Sequence, residues 1–154
     1  MFFTLLFWAL VAVCVLVLLL RFVVNPMTQP ATDGLLEDGR LSPCPDTPNC
    51  VSSQTDKQSA YIDPIATGAD DPIAAARDLL PQLGKHILRV ETNEYLHVEM
   101  ETPLLAYRDD LELVVDPDDG QRLHVRSASR LGRSDLGANR KRVEQLRALL
   151  TQAD

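Results

Sequence analysis

The sequence predicts an α+β fold, an N-terminal transmembrane helix followed by an antiparallel sheet of four or five strands packed with two amphipathic helices. Three observations carry this prediction. Residues 2 to 20 form an apolar run with no charged side chain, residues 86 to 128 alternate apolar and polar positions around turn residues, and two later stretches repeat apolar side chains at helical spacing.

The chain has 154 residues, room for one domain plus an appendage. The expected division is an anchor at 1–24, a flexible tether at 25–40 and a single α+β domain at 41–152. Only Thr4 interrupts the run from Phe2 to Leu20, which as a helix would extend about 29 Å, the thickness of a bilayer core. A buried soluble helix of that length would need an equally long apolar partner surface, which so small a domain does not offer. The start Met-Phe-Phe lacks the basic region of a secretory signal, and Arg21 to Pro26 contains no small-x-small cleavage site. Retention as an anchor is therefore expected. Cys14 lies mid-span behind Val13, where a lipobox needs a small residue, and reads as an apolar filler.

Residues 26 to 59 are broken throughout by Pro and Gly. Within them, Cys44-Pro45-Asp46-Thr47-Pro48-Asn49-Cys50 confines the chain to turns that could bring two sulfurs to the Cα separation of roughly 5 to 6 Å a disulfide needs. A disulfide between Cys44 and Cys50 is the favoured reading and implies an oxidising compartment. Zinc would need about four ligands, and His86, His97 and His124 are not spaced to supply them. A redox pair would be C-x-x-C beside a helix start. Two free thiols stay open. Arg21, the one charge flanking the apolar run, pulls the domain toward the cytoplasm; the cysteine pair pulls it outward and is given the greater weight.

Tyr61 to Ile65 is expected as a short strand. Asp71 can cap a helix with Pro72 at its first position, Ile73, Ala76, Leu80 and Leu83 on one stripe, and Gly84 closing it. His86 to Thr92 and Tyr95 to Glu101 flank the turn at Asn93-Glu94. Leu96, Val98 and Met100 alternate with His97, Glu99 and Glu101, the period of a strand wet on one face. Leu104 to Arg108 is expected as a third strand. Leu111 to Asp116 and Arg122 to Ala128 surround the turn residues Pro117-Asp118-Asp119-Gly120. If Val115 faces Leu123, then Leu113 faces Val125 and Leu111 faces Ser127, while Glu112 meets Arg126 and Asp116 meets Arg122. A slip of one residue would mix both faces. The last helix starts near Ser134 or Asp135, with Val143, Leu146, Leu149 and Leu150 on its apolar side.

The formal net charge is -7, yet Gln121 to Arg147 holds eight basic residues against Asp135 and Glu144. An acidic chain with one basic segment is a poor match for nucleic acid. That segment runs from a strand through a loop into a helix start, where free backbone N-H groups favour anions. Arg126, Ser127, Ser129, Arg130, Asn139 and Arg140 are the candidate anion ligands, with Arg133 nearby. The competing structural account pairs Arg130 and Arg140 with Asp109, Asp110 or Asp135. A hydrolase is the alternative class: Ser52, Ser53, Ser127 or Ser129 with His97 or His124 and Asp110 could form a triad on paper. No G-x-S-x-G elbow is present, and both histidines fall at strand positions expected to face outward.

Leu41-Ser42-Pro43-Cys44-Pro45 with Pro48-Asn49-Cys50-Val51-Ser52-Ser53-Gln54, and Val125-Arg126-Ser127-Ala128-Ser129-Arg130-Leu131-Gly132 with Asp135-Leu136-Gly137-Ala138-Asn139-Arg140-Lys141-Arg142-Val143-Glu144, together resemble the family catalogued as domain of unknown function 1499. The resemblance covers about residues 41 to 150. It implies a bacterial or plastid-type protein, often exported or membrane-linked, with no established reaction and no catalytic residue to carry over. The expectation is thus a single-pass protein of the bacterial inner membrane with its domain facing the periplasm. It is read as a non-enzymatic module without cofactor or metal, touching membrane lipid through residues 2–20 and binding a small anion or an envelope protein.

Overall fold

A computed structural model describes residues 1–154 except Asp33, Leu104 and Asp154. Helix α1, Phe2–Leu19, continues through a π-helical turn, Leu20–Val24, and a 3-10 turn, Asn25–Met27. Together they make one helix of 26 residues, with an 18-residue stretch of mean hydropathy 3.0, long and apolar enough to cross a membrane. None of the α1 side chains is buried. At Thr28 the chain turns extended, and the Thr28 hydroxyl donates to the Asn25 carbonyl at 2.7 Å.

The domain is an antiparallel sheet with two helices on one face. Its strands are β1 Cys50–Ser52, β2 Ile65–Ala66, β3 His86–Glu91, β4 Tyr95–Glu101, β5 Arg108–Asp116 and β6 Asp119–Ser129, ordered β1-β6-β5-β4-β3, with β2 also on β6. Helices α2, Pro72–Leu83, and α3, Ala138–Ala153, cover one face. Asp71 caps α2 by accepting from the Ala74 N-H at 2.9 Å, with Pro72 at the first position. Ile73, Ala76 and Leu80 from α2 and Val143, Leu146 and Leu150 from α3 meet Leu96, Val98, Leu111, Leu113, Leu123 and Val125 of the sheet in one dry core.

The β5–β6 register follows the burial pattern: Leu111 opposes Ser127, Glu112 opposes Arg126, Leu113 opposes Val125 and Val115 opposes Leu123. One pair departs from expectation. A bulge after Val115 sets Asp116 opposite Asp119, though Arg122 still reaches Asp116 at 3.8 Å.

Other expectations need correction. Among the described residues of the third strand expected at 104–108, only Arg108 lies in a strand. Leu104 lies outside the described residues, and around it Ala106 takes a left-handed φ of 55° while Thr102 bonds Tyr107 at 2.9 Å, so the segment closes a turn and the strand begins at Arg108. The strand near Tyr61 to Ile65 shrinks to Ile65–Ala66, Tyr61 making only an isolated bridge to Ser52. Cys50–Ser52, placed by composition in a loop, is a strand because β6 extends far enough to pair with it. Helix α3 starts at Ala138, and Asp135 reaches forward to accept from the Gly137 and Asn139 N-H groups at 3.1 and 2.8 Å. The largest difference concerns the second sheet face, expected to be wet. His97, Glu99, Asp110, Glu112 and Arg126 on that face are all buried.

What covers them is the stretch composed like a tether. The Ala31 N-H donates to Asp110 at 2.6 Å, Thr32 donates to Glu112 at 2.7 Å, and Arg126 and Arg130 donate to the carbonyls of Ala31 and Thr28. Leu41 then packs on Tyr95 and Val114, and Ala31 packs against the Cys44, Cys50 and Ala128 cluster.

Cys44 and Cys50 are bonded, with Cα atoms 5.7 Å apart. The bond closes a short loop against the end of β6, and closing a loop of that size restricts the unfolded chain by about 2 kcal/mol. Reduction, or Cys44→Ser with Cys50→Ser, is expected to lower stability by about that amount in chemical denaturation while leaving the far-ultraviolet dichroism of the folded state unchanged.

Candidate functional site

Alternation along β4, β5 and β6 sends every second side chain to the strap-covered face, and those side chains are ionic. Glu99 is a shared acceptor: Arg89 approaches its Oε2 at 2.6 Å, Arg130 the same oxygen at 3.0 Å, and Arg108 its Oε1 at 3.1 Å. Asp110 accepts from Arg130 at 2.7 and 3.0 Å, lies 2.8 Å from His97 Nε2, and also receives the strap's Ala31 N-H. Glu112 accepts from Arg126 at 2.9 Å, the Tyr95 hydroxyl at 2.7 Å and Thr32. Burial opposes ionisation of Asp110, but the hydrogen bonds from His97, Arg130 and Ala31 and the Arg130 charge outweigh it and hold the carboxyl well below its usual range. Burial likewise lowers the proton affinity of Arg130, and Asp110 and Glu99 more than restore it. Burial first, then the Glu112 carboxylate, pushes the Tyr95 phenol up, so Tyr95 stays a donor.

Two cavities open beside this layer. One, of about 490 Å³, lies between strap residues Pro26 to Pro30 and the side chains of Arg89, His97, Glu99, Arg108 and Arg130. There three guanidinium groups face two carboxylates, Glu99 and the Asp110 beneath it. Among the described residues, Arg108 uses only its Nε and Arg89 only its Nε and Nη2 in hydrogen bonds and ion pairs, and His97 Nδ1 has no partner. Free N-H donors therefore border the cleft. The second cavity, of about 520 Å³, is lined by Arg126, Ser129, Arg130 and the disulfide loop.

The residues singled out from sequence are dispersed. Arg126, Ser129 and Arg130 share the second cavity, but Arg126 gives its Nη1 and Nη2 to Glu112 and Ala31, its buried Nε having no partner among the described residues, and Arg130 pairs with Asp110 and Glu99. Ser127 and Asn139 lie at the core side in a buried network: Ser127 donates to Asn139 at 2.7 Å, and Arg142 bridges both to Asp109, which it meets at 2.6 Å. Asn139 also donates to the Asn49 carbonyl and the Ser129 hydroxyl, each at 3.0 Å, so the two motif stretches lock into one another. Arg140 donates to the carbonyls of Ser59 and Tyr61. Sequence reasoning missed Arg89, Glu99 and Arg108. Their signal was present as matched charges at alternate positions of adjacent strands, but without the strap that face looked solvated.

Hydrolase geometry is partly assembled, at the expected Ser53 and His124 but with Asp116 in the place expected of Asp110. Ser53 Oγ lies 3.2 Å from His124 Nδ1, and His124 Nε2 lies 3.5 Å from Asp116. The Ser53 hydroxyl, however, accepts from the Val125 N-H at 2.9 Å and donates to the Val125 carbonyl at 3.4 Å, bracing β6. Neither Ser53 nor His124 lines the two cavities beside the ionic layer. His97, expected to face outward, is instead 7 % exposed and committed to Asp110, with no serine as partner.

These features define a class: an apolar N-terminal helix followed by a disulfide-clipped α+β module whose second sheet face is an ionic layer under a strap. Residues 40–150 match the family described as Protein of unknown function (DUF1499), and the chain belongs to that family. No curated protein and no solved structure is similar to it.

Because the fold lowers the Asp110 pKa, its contribution to stability is present above the unfolded value of about 4 and is lost as pH falls below it. Asp110→Asn is expected to cost about 3 kcal/mol at neutral pH, the penalty for breaking a buried ion pair. The gap to the unaltered protein should narrow as denaturation curves are taken to lower pH, and a gap independent of pH would contradict the assignment.

Proposed function

We propose that the domain is a non-enzymatic module, held by residues 2–20 at the bacterial inner membrane and facing the periplasm, that binds a small anion in the cleft between Pro26–Pro30 and the Arg89, Arg108 and Arg130 guanidiniums. One observation carries the reading: three guanidinium charges against two carboxylates, with N-H groups of Arg89 and Arg108 left over at the cavity wall. A surplus of fixed cationic donors on rigid strands is what a carboxylate or phosphate needs, since donors already held in place lose little entropy on binding. His97, fixed through Nε2, presents its second ring nitrogen as a further polar partner. The largely apolar helix of 26 residues and the Cys44–Cys50 bond support the location, the first by length and the second by the oxidising surroundings it favours.

Titration calorimetry of the full chain in detergent with inorganic phosphate tests the site. Saturable binding is expected, weakened about tenfold or more by Arg108→Ala through loss of charge-assisted hydrogen bonds. The melting temperature should change little, since Glu99 keeps Arg89 and Arg130. Absence of phosphate and carboxylate binding to the unaltered protein would overturn the reading. A phosphatase reporter active only outside the cytoplasm, fused behind residue 154, should be active.

A further inference from the structure

The helix end borders a second cavity, lined by other residues than the anion cleft. A bilayer core of about 30 Å takes up about 20 helical residues, so a span beginning at Phe2 leaves the hydrocarbon near Leu20. There, Leu20 and Val24 share a mainly apolar cavity of about 440 Å³ with Tyr107, Leu131, Leu136 and Ala138, with Asp109 and Asp135 also in its wall. Leu136 is held at a left-handed φ of 53° with its side chain 96 % exposed. A leucine in that conformation is strained and gains nothing from water. Thr102 and Ala138 also line an adjoining cavity of about 410 Å³, whose walls hold Lys141 together with Arg21 and Lys85, both paired with Glu101, and Arg142, paired with Asp109. Exposed Lys141 and Arg133, which neighbours the loop, form no side-chain ion pair among the described residues. An apolar slot thus opens beside a basic one, both bordered by the residues where the helix emerges.

We infer that these joined cavities hold one anionic phospholipid of the surrounding membrane. An acyl chain lies between Leu20, Val24 and the Leu131–Leu136 loop, and the phosphate lies against Lys141. The apolar slot excludes a free phosphate as its full occupant, and its continuity with the apolar helix favours a lipid chain over a soluble ligand. The basic rim supplies the preference for negative charge. The inference rests on the reading of residues 2–20 as a membrane span, and is independent of the anion cleft.

Native mass spectrometry of the full chain in detergent, titrated with phosphatidylglycerol or phosphatidylcholine, tests it. One phosphatidylglycerol should bind with about fivefold preference, as expected for one unpaired basic side chain near the headgroup. Lys141→Glu should abolish the preference while retaining weak binding of both lipids, and Leu136→Asp should weaken both. Both positions are exposed, so melting temperatures should stay unchanged. Inorganic phosphate should not displace the lipid. A chain that fractionates with membranes yet binds neither lipid saturably, or binds both equally, overturns this inference alone; a chain fully soluble without detergent removes the membrane span on which it rests.

Discussion

The ionic layer on the second face of the sheet is the constraint on which the rest of the fold depends. Glu99, Asp110 and Glu112 are carried there by the same strand alternation that sends Val98, Leu111 and Leu113 to the core. A buried carboxylate left without partners costs several kcal/mol. Arg89, Arg108, Arg126 and Arg130 supply most of the compensation, and the backbone and hydroxyl groups of Ala31 and Thr32 supply what the arginines cannot reach. The strap is therefore bound by polar bonds aimed at particular acceptors, with Leu41 and Ala31 adding small apolar contacts at its edges.

That arrangement joins the apolar helix to the domain with little slack. Arg21 meets Glu101 at 3.6 Å and the Pro103 carbonyl at 3.3 Å, Asn25 donates to the Leu105 carbonyl at 2.6 Å, and Thr28 accepts from Arg130 through its carbonyl. The rim of the sheet where β4 ends and β5 begins is consequently the rim nearest the helix. Both proposed binding surfaces lie beside this junction. A ligand in either would touch residues of the helix end or strap as well as residues of the sheet, so binding and the position of the domain on its helix are linked by shared contacts.

Much of the fold was legible because its determinants are local. Asp71-Pro72 starts α2 by supplying an acceptor where a helix has spare N-H groups, and the Leu111 to Val115 and Leu123 to Ser127 patterns permit one register only. The failures are equally physical. Cys50–Ser52 is too short to show a period and is a strand only through its partner β6. The stretch near Leu104 has apolar, strand-like composition, but the left-handed Ala106 and the Thr102–Tyr107 bonds turn it back. At the candidate sites, Arg130 was visible as a cation in a basic segment. Arg89, Glu99 and Arg108 were not, since nothing near them in sequence indicates that a segment about sixty to eighty residues earlier lies over them.

The sequence by itself determined the apolar helix, the α+β class, the β5–β6 pairing and the family, and favoured the Cys44–Cys50 bond, because each depends on residues close together in the chain or on a period that only one structure satisfies. Tertiary structure decided which face of the sheet is dry. Alternation distinguishes two faces but does not say what covers either, and polar side chains can be buried wherever distant groups bring them partners. The location of free cationic donors followed from that decision, since whether a guanidinium is available depends on how many carboxylates the folded chain has already placed around it.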